Sequence, residues 1–270
     1  WYPWKRGIKI RTPVSRVGNK TSILHIIYNL FPLHYGRFID VFGGSGSVLL
    51  GKPKDELNRP VDAVKAEEKY ASLGGRFLTS GEKQICLTFD EGYENGYTAQ
   101  ILDTLKEKGV RAIFFVTYDY CRTAPELVRR MIDEGHIVGN HTVHHLNLPK
   151  QPIETVQTEI TSLNEKCEEL YGYKMTYMRP PEGEFSERTL AITNDLGMRT
   201  VMWSFAYADW DENKQGREDY GKSKIITNIH NGAILLLHGT SKDNSNILDY
   251  CIKEIKNMGY DFASLDELLI

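Results

Sequence analysis

The sequence predicts an α/β fold with parallel strands: an incomplete or distorted (β/α) barrel, preceded by a short N-terminal βα unit. Three observations point there. Short apolar runs alternate with amphipathic stretches from about Val61 to the end of the 270-residue chain. Several of the amphipathic stretches stop at a glycine, as helices do at their C-termini: Gly109, Gly135 and Gly197. At least six strand-helix units fit into roughly 210 residues, near the size of a (β/α) barrel.

Residues 1–51 stand apart. SILHIIYNLF carries apolar residues at helical spacing, RFIDVF reads as a strand, and GGSGS leads from it into VLL. A strand, a glycine turn (Gly43, Gly44, Gly46) and a helix start cradle nucleotide-like cofactors through backbone N–H groups. GKPKDELNRP, rich in charge, Gly and Pro, reads as a linker over residues 52–60, which leaves 61–270 as the main domain.

The elements of that domain follow in order. QICLTF is a strand and YTAQILDTLKEKG a helix. VRAIFFVT is a strand, and TAPELVRRMIDEG is a helix with Thr123 as its expected N-cap. HIVGN is a short strand, Pro152–Leu170 a helix and KMTYMR a strand. SERTLAITNDLG is a helix capped by Ser186, and MRTVMWSF reads as one strand. KSKIITNIH is a helix, GAILLLHG a buried strand and NSNILDYCIKEIKNMG a long helix.

Composition excludes several classes. A hydrophobic content of 41% supports a sizeable core, and a net charge of -3 argues against a nucleic-acid-coating surface. No apolar stretch reaches the ~18 residues of a membrane span. The basic N-terminus lacks the apolar run and cleavage site of a signal peptide, so no export signal is expected in this chain. Cys86, Cys121, Cys167 and Cys251 have no metal-ribbon spacing and read as free thiols.

In parallel α/β folds the chemistry lies at the carboxyl ends of the strands. Five predicted strand ends bring polar groups to that rim: Asp90 and Glu91, then His141, His144 and His145, then Arg179, then Asp209 and Trp210, then His238. His141 and His145 are spaced i, i+4, which on one helical turn puts both rings on one face. Two imidazoles and a carboxylate suit a catalytic divalent metal, with zinc as the default. His144 lies outside that register and is expected to be a bystander. Adjacent carboxylates repel unless their roles separate. One would bind the metal while the other acts as general base, oriented by Arg179. Placement of the pair at a strand end, followed by Gly92, is expected to let both approach one site. Asp209 would bond one nitrogen of His238 and keep it protonated as general acid, with Trp210 packed over both. These parts fit metal-assisted hydrolysis of an amide or ester.

The order TFDE, HTVHH, RPPEG, ADW and LLLH resembles the NodB-homology polysaccharide deacetylases, carbohydrate esterase family 4, over roughly residues 61–270. TFDEGYENGYT, DEGHIVGNH and WSFAYADW are most similar to the delta-lactam-biosynthetic de-N-acetylases of that family. The resemblance implies a distorted, incomplete (β/α) barrel and removal of acetyl from N-acetylmuramic acid of peptidoglycan, toward the muramic delta-lactam of spore cortex. It implies peptidoglycan glycan strands as partner, and the cell envelope or exterior as location. By position it implies Asp90 as base, Arg179 as its orienting residue, His238 as acid and Asp209 as the partner of that acid. It implies Glu91, His141 and His145 as metal ligands, the backbone N–H of Glu182 in the oxyanion hole, and Leu237 lining the acetyl pocket. Glu91 stands where the family carries Asp, and Ala206 stands at the first position of its D-x-x-D-W motif.

Residues 1–51 resemble the start of a D12-class DNA adenine N6-methyltransferase, whose F-x-G-x-G turn contacts S-adenosylmethionine. No D-P-P-Y segment follows, so the fragment is expected to be a fusion remnant that binds no nucleic acid. The competing readings are a deacetylase of another N-acetylated glycan such as chitin oligomers, a non-catalytic glycan-binding remnant, and a binder of S-adenosylmethionine.

Overall fold

The computed structural model describes residues 54–263. The N-terminal methyltransferase-like fragment, including Gly43, Gly44 and Gly46, lies outside them. Residues 54–60, within the expected linker, form a tight turn. Asp55 accepts from the Leu57 and Arg59 backbones and pairs with the Arg59 guanidinium, and Lys54 bridges Pro60.

The named strands pair in parallel throughout. The order along the sheet is β1 (Gly75–Arg76), β6 (Arg199–Val201), β5 (Tyr177–Met178), β4 (Ile137–Asn140), β3 (Ala112–Val116), β2 (Gln84–Glu91), β8 (Ile234–His238) and β7 (Phe205–Ala206). A short β9 (Asp261–Phe262) pairs with the start of β2. The helices are α1 (Val61–Tyr70), α2 (Thr98–Lys108), α3 (Tyr118–Thr123), α4 (Pro125–Asp133), α5 (Ile153–Tyr171), α6 (Glu187–Asp195), α7 (Glu218–Thr227) and α8 (Lys242–Asn257).

The incomplete barrel predicted from the alternating units is present, and MRTVMWSF shows why it is incomplete. That run is not one strand. Its first part, β6, pairs with β5 and β1, and its last part, β7, pairs with β8 at the opposite end of the sheet. Residues 202–204 cross the opening, with the Met202 N–H on the Arg76 carbonyl and the Ser204 N–H on Ile234. A single strand cannot follow two sheet edges that diverge, so the ladder breaks there.

Side chains alternate between two apolar layers. Ile85, Leu87 and Phe89 of β2 join the core between sheet and helices, while Cys86, Ile113, Phe115, Ile137, Val201 and Ile234 fill the barrel interior. Burying each large apolar side chain contributes about 1.5–3 kcal/mol. Ser186 caps α6 with a full capping box through Thr189, and Gly109, Gly135 and Gly197 take the expected left-handed backbone. Thr123 does not cap α4. It ends α3 instead, and Pro125 opens α4 where its missing N–H costs nothing. The four cysteines are buried and unpaired, and burial pushes their thiols up to about 12.

Candidate active site

Parallel register sets the centre of the site. Asp90 lies opposite Phe115 on one side and His238 on the other, so all three share one face of the sheet. Phe115 belongs to the interior layer, so this face is the inside of the barrel. Thr88, two residues before Asp90, points the same way.

Arg179 fills that interior and is fully buried. Its Nη1 donates to Asp90 Oδ1 at 2.9 Å and to Thr88 Oγ1 at 2.7 Å, while Nε and Nη2 donate to the Val201 and Met202 carbonyls. Its guanidinium carbon stands 4.3 Å from the Phe115 ring centroid, and the Trp203 ring flanks it at 5.5 Å. This arrangement fixes the guanidinium in place. Burial pushes the Asp90 carboxyl up, but the Arg179 charge, helped by His141 and His238, outweighs it and holds Asp90 below the usual carboxylate range.

His238 ends β8. Its Nδ1 donates to Asp209 Oδ1 at 2.7 Å, and its backbone N–H donates to Asp209 Oδ2 at 2.9 Å. A carboxylate only accepts, so Nδ1 carries a proton and Nε2 faces the site. Burial pushes this imidazole down, yet Asp209, with Asp90 beyond it, raises it above the ordinary histidine range. The Trp210 ring packs 5.6 Å from the His238 ring and is 55% exposed, as a wall open to ligand would be.

His141 and His145 do come together, with ring centroids 4.9 Å apart, although no helix joins them. Their loop is bent by left-handed backbone at Thr142 (φ 69°) and His145 (φ 55°). Asn140 Oδ1 accepts from Thr142 N, and Thr142 Oγ1 accepts from His145 N. His144 anchors this loop from outside the pair. Its backbone N–H and ring Nδ1 both donate to the buried Glu159 of α5. His141 Nδ1 donates to the Arg179 carbonyl at 2.8 Å, leaving Nε2 as a free lone pair 3.7 Å from Asp90 Oδ2. Burial, only partly countered by Asp90, pushes His141 down to about 4, so it is neutral near pH 7.

Glu91 departs from expectation. β2 runs through Glu91, which pairs with Val116 of the outer core, so its side chain faces the helices while Asp90 faces the barrel. Its carboxyl is fully buried, neither oxygen makes a hydrogen bond, and the nearby Thr98 hydroxyl is not in bonding geometry. Burial, then the charges of Glu94 and Asp90, push it well above the usual carboxylate range. It packs on Gly239, where an added Cβ would lie 2.0 Å from Oε1. Among the described residues no group of three His, Cys, Asp or Glu side chains is placed to hold a metal ion. The two histidines suit a divalent ion, but the expected set of Glu91, His141 and His145 is not assembled, because strand alternation turns Glu91 away.

Leu237 also needs correction. It joins the sheet–helix core, whereas Leu236, opposite Thr88, shares the inner face with His238. An inner-face leucine that lines the site is therefore Leu236. Glu182 holds a left-handed backbone at φ 59° just after Arg179, and its carboxylate accepts from Asn147. Sequence reasoning missed Thr88, which the alternation about Asp90 could have revealed. It also missed Glu159 and Asn244, for which no local signal exists.

Residues 78–201 match the family model for polysaccharide deacetylase. Over 215 residues the chain is 46% identical to the peptidoglycan-N-acetylmuramic acid deacetylase PdaA of Bacillus subtilis, covering 78% of this chain and 82% of that protein. The chain belongs to the polysaccharide deacetylase family. The solved structure of B. subtilis PdaA, a family 4 carbohydrate esterase, superposes on this deacetylase with a TM-score of 0.76 at 41% identity, covering 81% of this chain and 94% of that one. A family 4 carbohydrate esterase from Bacillus anthracis gives 0.65 at 44% identity over 74% and 91%. No helix among the described residues is long and apolar enough to cross a membrane.

Proposed function

We propose that this deacetylase hydrolyses the acetamide of N-acetylmuramic acid in peptidoglycan glycan strands, as a step toward the muramic delta-lactam of spore cortex. The reading rests on one observation above the others. Asp90 and His238 face each other across β2 and β8, each with its own partner, Arg179 and Asp209. The likeness to PdaA supports the choice of sugar.

The opposite displacements of the two groups divide the work. Asp90, held ionised by Arg179, takes a proton from the attacking water. His238, held protonated by Asp209, gives its Nε2 proton to the departing amine. The backbone N–H at Glu182 would meet the oxyanion, an interaction whose loss typically costs about 3 kcal/mol. Leu236 and Trp210 would border the acetyl group and the sugar. The family implies a divalent metal, zinc by default. His141 and His145 are the residues suited to it, Glu91 is not in place, and no step is routed through the ion. The enzyme would act in the cell envelope or outside the cell and bind no nucleic acid. Residues 1–51 are read as a fusion remnant, and saturable S-adenosylmethionine binding would overturn that.

The displaced Glu91 favours a second reading, a non-catalytic glycan binder. Acetate release decides between them. Purified protein is expected to release acetate from peptidoglycan glycan strands stripped of peptide, and more slowly from chitin oligomers. Binding of the strands without acetate release would establish the second reading.

A further inference from the structure

We propose that Asn244 is a positioning residue for the Asp209–His238 pair, and that Tyr207 anchors the far end of its amide. Asn244 sits in the first turn of α8 and is 1% exposed. Ser241 caps this helix and accepts from the Asn244 backbone N–H. In a capping box, the residue at this place would turn its side chain back to the N-cap backbone. Asn244 does not. Its Nδ2 donates to Asp209 Oδ2 at 2.6 Å and to the His238 carbonyl at 3.2 Å. The Asp209 carboxylate and the His238 carbonyl only accept, so they fix the amide with Nδ2 toward the pair, and the buried Tyr207 hydroxyl donates to the Oδ1 left on the other side.

The consequence is geometric. Asp209 Oδ2 is held by two donors, Asn244 Nδ2 and the His238 N–H, and this leaves Oδ1 aimed at His238 Nδ1. Asn244 also clasps the carbonyl of His238 itself, so one side chain ties both members of the pair together. The groups that set the His238 charge from the surrounding elements are Asp209, Asp90 and Arg179. Of these, Asp209 is the partner whose aim Asn244 controls. A second set of contacts pins the same loop without touching the carboxylate. Asp243 accepts from Gly216 and Arg217, and Gln215 donates to the Asp209 carbonyl. Loop anchoring and carboxylate aiming are therefore separable.

The proposal rests on His238 acting as general acid, and the experiment keeps the two apart. Full-length wild type, Asn244→Ala, Tyr207→Phe, Asp243→Asn and His238→Ala are assayed for acetate release from peptide-stripped glycan strands across pH. The His238 ring is titrated in ¹⁵N-histidine-labelled protein by NMR. Asn244→Ala is expected to lower kcat by about 10- to 100-fold with KM little changed, a part of the roughly 10²- to 10⁴-fold that a positioned general acid contributes. Its basic limb and the His238 midpoint are expected to move to lower pH, because a freed Asp209 no longer supports the imidazolium. Tyr207→Phe keeps the ring and is expected to shift both in the same direction by less, and it serves as the test if Asn244→Ala does not fold. A His238 midpoint unchanged or raised in both variants overturns the proposal. So does an equal downward shift in Asp243→Asn, which would make loop anchoring the cause. Acetate release by His238→Ala at the wild-type rate would instead sink the general-acid reading, while the NMR titration would still judge Asn244.

Discussion

Arg179 Nη1 stands 2.9 Å from Asp90 Oδ1; Arg179 is fully buried, and Asp90 keeps a small opening, 8% exposed. A buried pair of this kind is costly to break from one side. Removing a partner leaves an uncompensated charge worth about 3–5 kcal/mol. Arg179→Met is therefore expected to lose stability of that order in urea unfolding. Asp90→Asn keeps the shape and an acceptor for Nη1, so it should lose less stability than truncation of Asp90 would, while acetate release falls by roughly 10²- to 10⁴-fold. Unchanged release in Asp90→Asn would remove Asp90 from the role of base.

The pH dependence of kcat/KM follows from the same two dyads. Asp90 must be ionised, and its carboxyl lies below the usual carboxylate range, so the acid limb should fall at unusually low pH. His238 must be protonated, and its imidazole lies above the ordinary value, so the basic limb should fall above the ordinary histidine range. A pH–rate profile of acetate release should show a broad plateau between the limbs. A basic limb below the ordinary histidine value would contradict the Asp209 pairing.

Glu91 is expected to be indifferent to metal. In equilibrium dialysis against zinc, Glu91→Gln should bind as the wild type does, whereas His141→Ala should bind less. Equal loss in both variants would restore Glu91 to the ligand set. Its packing role has its own test. Gly239→Ala pushes a methyl into the Glu91 carboxyl and should cost about 1–3 kcal/mol in thermal unfolding. Adding Glu91→Ala should relieve part of that cost.

Two histidines away from the site predict acid sensitivity. His136 and His230 are buried, and burial pushes each down to about 4. In the unfolded chain they titrate near the ordinary value of about 6.5. Between those values the unfolded state binds more protons, so stability rises with pH there. It should be fully present above about 6.5 and decline as pH falls toward 4, by up to about 3 kcal/mol for each ring. Urea midpoints measured across that window check it, and His136→Gln with His230→Gln should flatten the slope.

Much of the fold was legible because local chemistry repeats with it. Capped helices ending on glycine and short apolar runs foretold the parallel units, and Ser186 and Gly197 did what their positions suggested. MRTVMWSF was illegible because apolar content does not say which neighbour a strand pairs with, and this run has neighbours at both ends of the sheet. The helix α1 and strand β1 lacked a strong pattern and went unread.

By itself the sequence determined which chemical groups stand at the strand ends, since strand ends are local events and charged side chains there break the apolar runs that precede them. Asp90, Arg179, Asp209 and His238 were all named that way and do converge. Only the tertiary structure decided orientation. Whether β2 ended before or after Glu91 settled which face its carboxyl took, and the same period of two exchanged Leu237 for Leu236. Glu159 and Asn244 reach the site from α5 and α8. Contacts between residues distant in sequence depend on how whole elements pack, and no local pattern encodes that.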